Sequence, residues 1–187
     1  MRQFVKSSIV LGTIATSAAC APMTPPTTTA PEVSDPGYQL QQVSMVRAGM
    51  LLNTPEGRAF MTVFREANAF RAANGLPALR AETTLIRAAA RHSQDMATRN
   101  YMAHTSPDGT TADSRMRAAG ATFNSWGENI GYQSAPNETA ATRMMEAWKA
   151  SPGHRANLLN PKFTRTGIYA YRRASDGTMY FTQVFAD

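Results

Sequence analysis

Three side chains in this chain of 187 residues have a chemical capacity that their neighbours do not use up: His104, Glu128 and His154. His104 opens the run His104-Thr105-Ser106-Pro107-Asp108-Gly109, whose residues favour a turn. Glu128 lies between Gly127 and Asn129, two residues after Trp126, and like His104 and His154 it is expected on a turn. That is a poor place for an idle solvated carboxylate. His154 follows Ser151-Pro152-Gly153, a sequence that stops a helix because proline lacks the N–H and glycine tolerates the turn. Two imidazoles and a carboxylate are the inventory of a divalent-metal site with open positions, or of a general acid/base pair. Asn129 and Ser151 are the polar neighbours placed to support them. His104 and His154 are the imidazoles that a metal would take. Each histidine has an equally simple alternative, a hydrogen bond to backbone at an element end. Spacing along the chain does not decide whether the three meet.

The elements that must position them follow from periodicity. Thr54-Pro55-Glu56 supplies an N-cap, a proline at the first helical position and an early carboxylate. Phe60, Val63, Phe64, Ala67 and Phe70 then share one helical face, and Asn74-Gly75 ends the helix. A second helix is expected from about Thr83 to Arg99, with Leu85, Ala88, Ala89, His92 and Met96 buried. His92 reads there as a satisfied core histidine. A short helix is expected over Ala112–Ala119, then an edge strand around Ala121–Ser125. Asn137 caps another helix whose apolar face is Ala141, Met144, Met145 and Trp148; Glu146 points away from that face into solvent. Residues 167–171 and 179–185 are rich in β-branched and aromatic residues. Joined by Ser175-Asp176-Gly177, they form a hairpin signal.

Upstream of residue 54 the composition changes. Arg2 and Lys6 precede the apolar run 9–15 and the small residues Ser17-Ala18-Ala19, the pattern of an export signal. The apolar run is too short to span a membrane. The chain's one cysteine, Cys20, follows directly. This resembles a bacterial lipobox, in which such a cysteine is lipidated and becomes the first residue of the mature protein; Ser17 stands where an aliphatic residue is usual, and plain secretory cleavage is the alternative. Residues 21–53 form a Pro/Thr-rich tether and lead-in. The domain proper is 54–187.

The formal net charge is +6, and it falls to +4 without Arg2 and Lys6. The arginines are scattered, with no basic stripe interleaved with aromatics, so no nucleic-acid partner is expected. The common peptidase signature His-Glu-x-x-His and the hydrolase signature Gly-x-Ser-x-Gly are both absent. With Cys20 in the leader, no cysteine nucleophile remains in the domain. There are no internal repeats.

The order of the motifs is recognisable. Asn68-x-x-Arg71-x-x-x-Gly75-Leu76-x-x-Leu79 comes first, then Leu85-x-x-Ala88, Met96-Ala97 and His104. Gly127-Glu128-Asn129-Ile130 follows, then Trp148-x-x-Ser151-Pro152-Gly153-His154-Arg155-x-Asn157-x-Leu159, and last Phe181-Thr182-Gln183-Val184-Phe185. This resembles the bacterial branch of the CAP superfamily, the SCP/PR-1-like domain. The resemblance covers residues 56–187. It implies an α+β fold, a three-layer α–β–α sandwich with a central antiparallel sheet. It also implies a cleft lined by two histidines and two acidic residues, which binds zinc or another divalent cation in some members. His104 and Glu128 match the first histidine and the Gly-Glu-Asn glutamate, and His154 matches the histidine of the bacterial motif. Ser151 stands where eukaryotic members have the second glutamate, and Met179 where they have a histidine, so three members of the site are expected. The disulfides of the family are absent.

Three functions remain open on this reading. The first, which the resemblance favours because enzymatic activity is not general in CAP domains, is a binding module of the cell envelope. It would be anchored through Cys20 or secreted, and would hold a lipid, glycan or protein. The second is a metal-dependent hydrolase using His104, Glu128 and His154. The third is a purely structural polar cluster.

Overall fold

Helix α1, Pro55–Ala73, begins where Thr54 accepts a hydrogen bond from the Gly57 N–H at 3.2 Å. Phe60, Val63, Phe64 and Ala67 recur at helical spacing and are all buried. The structure is a computed structural model that describes residues 53–134 and 137–187. The signal-like segment with Cys20 and the tether up to residue 52 lie outside those residues.

After α1 the chain forms strand β1, Arg80–Ala81, and helix α2, Thr83–Arg99. It continues through helix α3, Ala112–Ala118; strand β2, Trp126–Gln133; helix α4, Asn137–Ala150; and helix α5, Pro152–Leu158. Strands β3, Arg165–Arg172, and β4, Met179–Ala186, close the chain. The sheet order is β1-β3-β4-β2. β4 pairs antiparallel with both β3 and β2, whereas the two-residue β1 runs parallel to β3. The sheet is therefore antiparallel except at one short edge.

Alternation along β4 separates two layers. Phe181 and Phe185 join the core built with α1 and α4, through Phe60, Phe64, Met145 and Trp148. Val184 and Ala186 join the core under α2 and α3, with Leu85, Ala88, Ala89 and Met116. Gly167 in β3 is what lets α2 lie so close: a Cβ there would sit 2.0 Å from the Leu85 carbonyl carbon. The expected apolar face of α4 is buried in full, and Glu146 is exposed.

Arg71 ties α1 to the far end of the fold. It is fully buried and donates to the carbonyls of Pro77, Leu158, Asn160 and Phe163 at 2.8–3.1 Å. The Leu158, Asn160 and Phe163 carbonyls lie where α5 ends and the chain turns towards β3, and Pro77 lies in the connection from α1 to β1. Burial lowers the Arg71 pKa, and the carbonyl dipoles replace the water it has lost.

Two local expectations are corrected. Residues 121–125 are not a strand; the strand begins at Trp126, so Glu128 lies inside β2 and not on a turn. His154 is not presented on a turn past a helix end. Pro152 occupies the first position of a new helix, α5, and His154 is its third residue.

Candidate functional site

Strand β2 is an edge of the sheet, and its alternation sorts the site residues. Gly127 and Gly131 face α4, α5 and the loop after them: a Cβ on Gly127 would meet the Asn157 and Phe163 side chains, and one on Gly131 would meet Met144. Glu128 and Ile130 face the other way. Ile130 packs with Met96, Ala97 and Tyr180, and Glu128 meets His92, His104 and Arg115.

Glu128 is 5% exposed, and both of its oxygens are engaged. Oε1 accepts from His104 Nδ1 at 2.8 Å and Oε2 from Arg115 Nη2 at 2.8 Å. Arg115 also donates from Nη2 to the His104 carbonyl at 2.9 Å and from Nη1 to the Thr110 carbonyl at 2.9 Å. One guanidinium thus fixes the carboxylate and both ends of the loop that carries His104. Arg115 was not among the residues singled out from sequence. The signal was present: Ala112, Arg115, Met116 and Ala119 recur at helical spacing, so an arginine stands on an apolar face and needs a buried partner.

His92 is fully buried but not satisfied. Its Nε2–H donates to the Ala103 carbonyl at 3.1 Å, and its Nδ1 has no partner. Nε2 also lies 4.0 Å from Glu128 Oε1. Burial pushes its pKa down to about 4; Glu128 opposes that shift and Arg115 adds to it. The imidazole is neutral at pH 7 and packs against Tyr101, with ring centroids 6.2 Å apart.

On the opposite face the polar groups are neutral amides. Asn157 Nδ2 donates to the Glu128 backbone carbonyl at 3.1 Å and to Asn129 Oδ1 at 2.9 Å. Asn129 Nδ2 donates to the His154 carbonyl at 3.2 Å. Trp148 Nε1 donates to the Ile130 carbonyl at 3.1 Å, and its ring lies 6.3 Å from that of His154. Burial lowers the His154 pKa, and His104 pushes in the same direction.

Residues 64–185 match the sequence profile of the cysteine-rich secretory protein family, CAP. The chain belongs to that family. An uncharacterized protein of Bacillus subtilis is 36% identical over 114 residues, 61% of this chain and 43% of that protein. A second B. subtilis protein, an uncharacterized membrane protein, is 32% identical over 118 residues, 63% of this chain and 31% of its own length. The CAP chain thus spans less than half the length of these relatives. Among solved structures, an extracellular SCP-domain protein of Bacillus anthracis has a TM-score of 0.63 and 31% identity, covering 70% of this chain and 41% of that one. An outer surface protein of Borrelia burgdorferi, at 23% identity and TM-score 0.61, shares the fold over 68% of this chain and 91% of its own.

In this CAP domain two hollows flank β2. His104, Glu128 and Asn157 line one of about 420 Å³. His154, Ser151 and Trp148 line another of about 330 Å³. His104 and Glu128 are joined directly; His154 approaches from the other layer and bonds to neither through its ring. Asn129 supports His154 through its backbone, and the Ser151 side chain makes no capping bond.

The donor set limits which metal site fits. Among the described residues, no group of three or more His, Cys, Asp or Glu is arranged around a common ion position. Both Glu128 oxygens are already bonded, to His104 and Arg115, so the carboxylate offers no free ligand atom and the described donors do not fit the three protein ligands of a hydrolytic zinc.

Proposed function

We propose that this CAP domain is a binding module of the cell envelope, with a recognition centre at His104. The observation that carries the reading is the hydrogen bond from His104 to a carboxylate already paired with Arg115. That bond places the proton on Nδ1 and leaves the Nε2 lone pair free on a ring whose side chain is 58% exposed. The orientation is fixed by buried groups, while the acceptor atom faces outward. Among the described residues no serine, threonine or cysteine side chain bonds to the His104 ring, which favours recognition over activation of a protein nucleophile.

Export fits this reading. An extracellular protein and an outer surface protein are among the structures it is similar to, and no helix among the described residues is long and apolar enough to cross a membrane. Anchoring through a lipid on Cys20 completes the proposal; Cys20→Ser should abolish partition of the protein into a detergent phase.

The test is cosedimentation with isolated envelope of the chain carrying Cys20→Ser in both arms, so that no lipid anchor contributes. Parent protein should sediment with it, and His104→Gln should not. Equal sedimentation of the two would overturn His104 as the recognition centre and leave the purely structural role.

A second reading has one observation in its favour. A histidine that donates Nδ1–H to a carboxylate is the usual partner of a metal on Nε2. His104 and His154 would then hold a divalent cation, and zinc, when bound, would polarise a ligand oxygen. In this reading Glu128 and Arg115 fix the His104 tautomer and Asn129 anchors α5 at His154. Zinc should raise the melting temperature of the parent and not of His104→Gln; no shift in the parent would remove the reading.

A further inference from the structure

At the far end of β2 lies a third hollow, of about 300 Å³, that the His104 site does not use. Its floor is aromatic. The rings of Tyr132 and Tyr180 lie 5.7 Å apart, tilted by 33°, and Tyr132 is 51% exposed. The Arg173 guanidinium sits 5.2 Å from the Tyr180 ring centroid and donates to the Tyr180 hydroxyl at 2.8 Å. It also donates to Asn100 Oδ1. Asn100 ends α2 in the left-handed region, with φ at 55°. Asp176 accepts from Arg173 at 2.5 and 3.0 Å and from the Thr178 N–H at 3.0 Å.

These contacts set the ligand class. Arg173 and Asp176 cancel each other's charge, so the hollow does not ask for an anion. Its rim holds amide, hydroxyl and carboxylate groups in fixed positions, which an acyl chain could not satisfy. An extended peptide would seek the outward backbone of β2, but the Glu128 and Ile130 carbonyls there are taken by Asn157 and Trp148. A neutral ligand with an apolar face for the rings and hydroxyls for the rim is a saccharide. Its C–H face meets the electron-rich ring face.

The neighbouring hollow refines this. Met102 and Tyr132 form a wall of both hollows, and Met102 is 50% exposed. Beyond that wall the lining turns apolar, with Ile130, Met144, Ala147 and Trp148, and the Ser151 and His154 side chains stand at its rim. An apolar pocket beside a saccharide platform, with a free hydroxyl at its edge, takes an acetamido methyl and its amide.

We propose that the Tyr132–Tyr180 trough is a subsite for a neutral, N-acetylated oligosaccharide of at least two rings. The proposal rests on the reading of the domain as an envelope-binding module and names the chemistry of its ligand at a separate end of the strand.

The experiment is calorimetric titration of the full chain with triacetylchitotriose and with the unacetylated glucose trimer cellotriose. The acetylated trimer should bind saturably and more tightly than cellotriose. Tyr132→Ala should weaken it about tenfold, while Tyr132→Phe retains it. Tyr132 is half exposed, so its truncation leaves the core intact; circular dichroism of the variant checks this. No saturable binding of either sugar, equal affinity in Tyr132→Ala, or displacement by a fatty acid at these residues overturns the proposal. If binding fails while His104→Gln still abolishes envelope cosedimentation, only the saccharide assignment falls.

Discussion

The two faces of strand β2 solve one problem in different ways. On the α2–α3 face a charge is buried: Glu128, paired with Arg115 and His104. On the α4–α5 face the polar groups are Asn129 and Asn157, whose amides bond to each other and to backbone. The charged face depends on every partner being present, because an ion without its counterion in the interior is heavily penalised. The neutral face loses only one amide's hydrogen bonds at a time. The contrast shows which face can hold a chemically poised group. On the charged face a buried carboxylate holds the His104 ring, whose side chain is 58% exposed, in a fixed orientation.

The largest effect expected from this contrast is at Arg115. Arg115→Met leaves Glu128 buried with one oxygen unpaired and releases the His104 and Thr110 carbonyls. Urea unfolding at pH 7 should show a loss of about 3–5 kcal/mol. Glu128→Gln added to that variant should recover part of the loss, since it removes the orphaned charge. If the double variant is no more stable than Arg115→Met, the carboxylate is not what the arginine holds.

Next is the pH dependence of His92. Its folded pKa, about 4, lies below the unfolded imidazole's value of 6.5. Between these values the unfolded chain binds a proton that the folded chain refuses, so stability is full above pH 6.5. It falls as pH drops towards 4, by roughly 3 kcal/mol in total. Glu128, Arg115 and Asp95 are the charged groups acting on it. His92→Gln should flatten the stability profile between pH 6.5 and 4. An unchanged slope would assign the acid sensitivity to other groups.

The neutral face should respond less. Asn157→Ala removes two hydrogen bonds and leaves the Glu128 carbonyl and Asn129 Oδ1 without that donor. Thermal or urea unfolding should show a loss of about 1–3 kcal/mol with little dependence on pH from 5 to 8. A loss equal to that of Arg115→Met would erase the distinction between the faces.

Much of this organisation was legible in the sequence, and the misses share a cause. The helices from Thr83 and through Trp148 were legible because a stripe of apolar residues at helical spacing has few other ways to be buried. The hairpin of β3 and β4 was legible for the corresponding reason. His104 and Glu128 were singled out by type and setting, and the fold joins them by a hydrogen bond, but Glu128 was expected on a turn and lies in a strand. Gly127 before it and Gly131 three residues on suggest a turn locally; in the fold they are strand residues that leave room for Phe163 and Met144. His154 was placed past a helix end because Ser-Pro-Gly does stop α4. The same proline is a good first residue for another helix, and which role dominates depends on α5 finding a seat through Leu158. The partner that Arg115 finds and the unpartnered Nδ1 of His92 could not be read from type and spacing, because both depend on how α2, α3 and β2 pack on one another.

The smallest stability effect should come from His104, the residue proposed as the recognition centre. His104 contributes one hydrogen bond to Glu128, but its side chain is 58% exposed and water competes for it. Exposed pairs of this kind contribute about 0–1 kcal/mol. In His104→Gln the side-chain amide can still donate towards Glu128, and Arg115 still neutralises the carboxylate, so unfolding should shift by less than about 1 kcal/mol. What the variant loses is the outward imidazole lone pair. Stability and recognition therefore separate at this residue, as they cannot at Arg115. Paired measurements of urea unfolding and envelope cosedimentation on His104→Gln decide it. A loss of stability as large as that of Arg115→Met would mean that His104 is one more member of the buried network, and the charged face would then serve the fold alone.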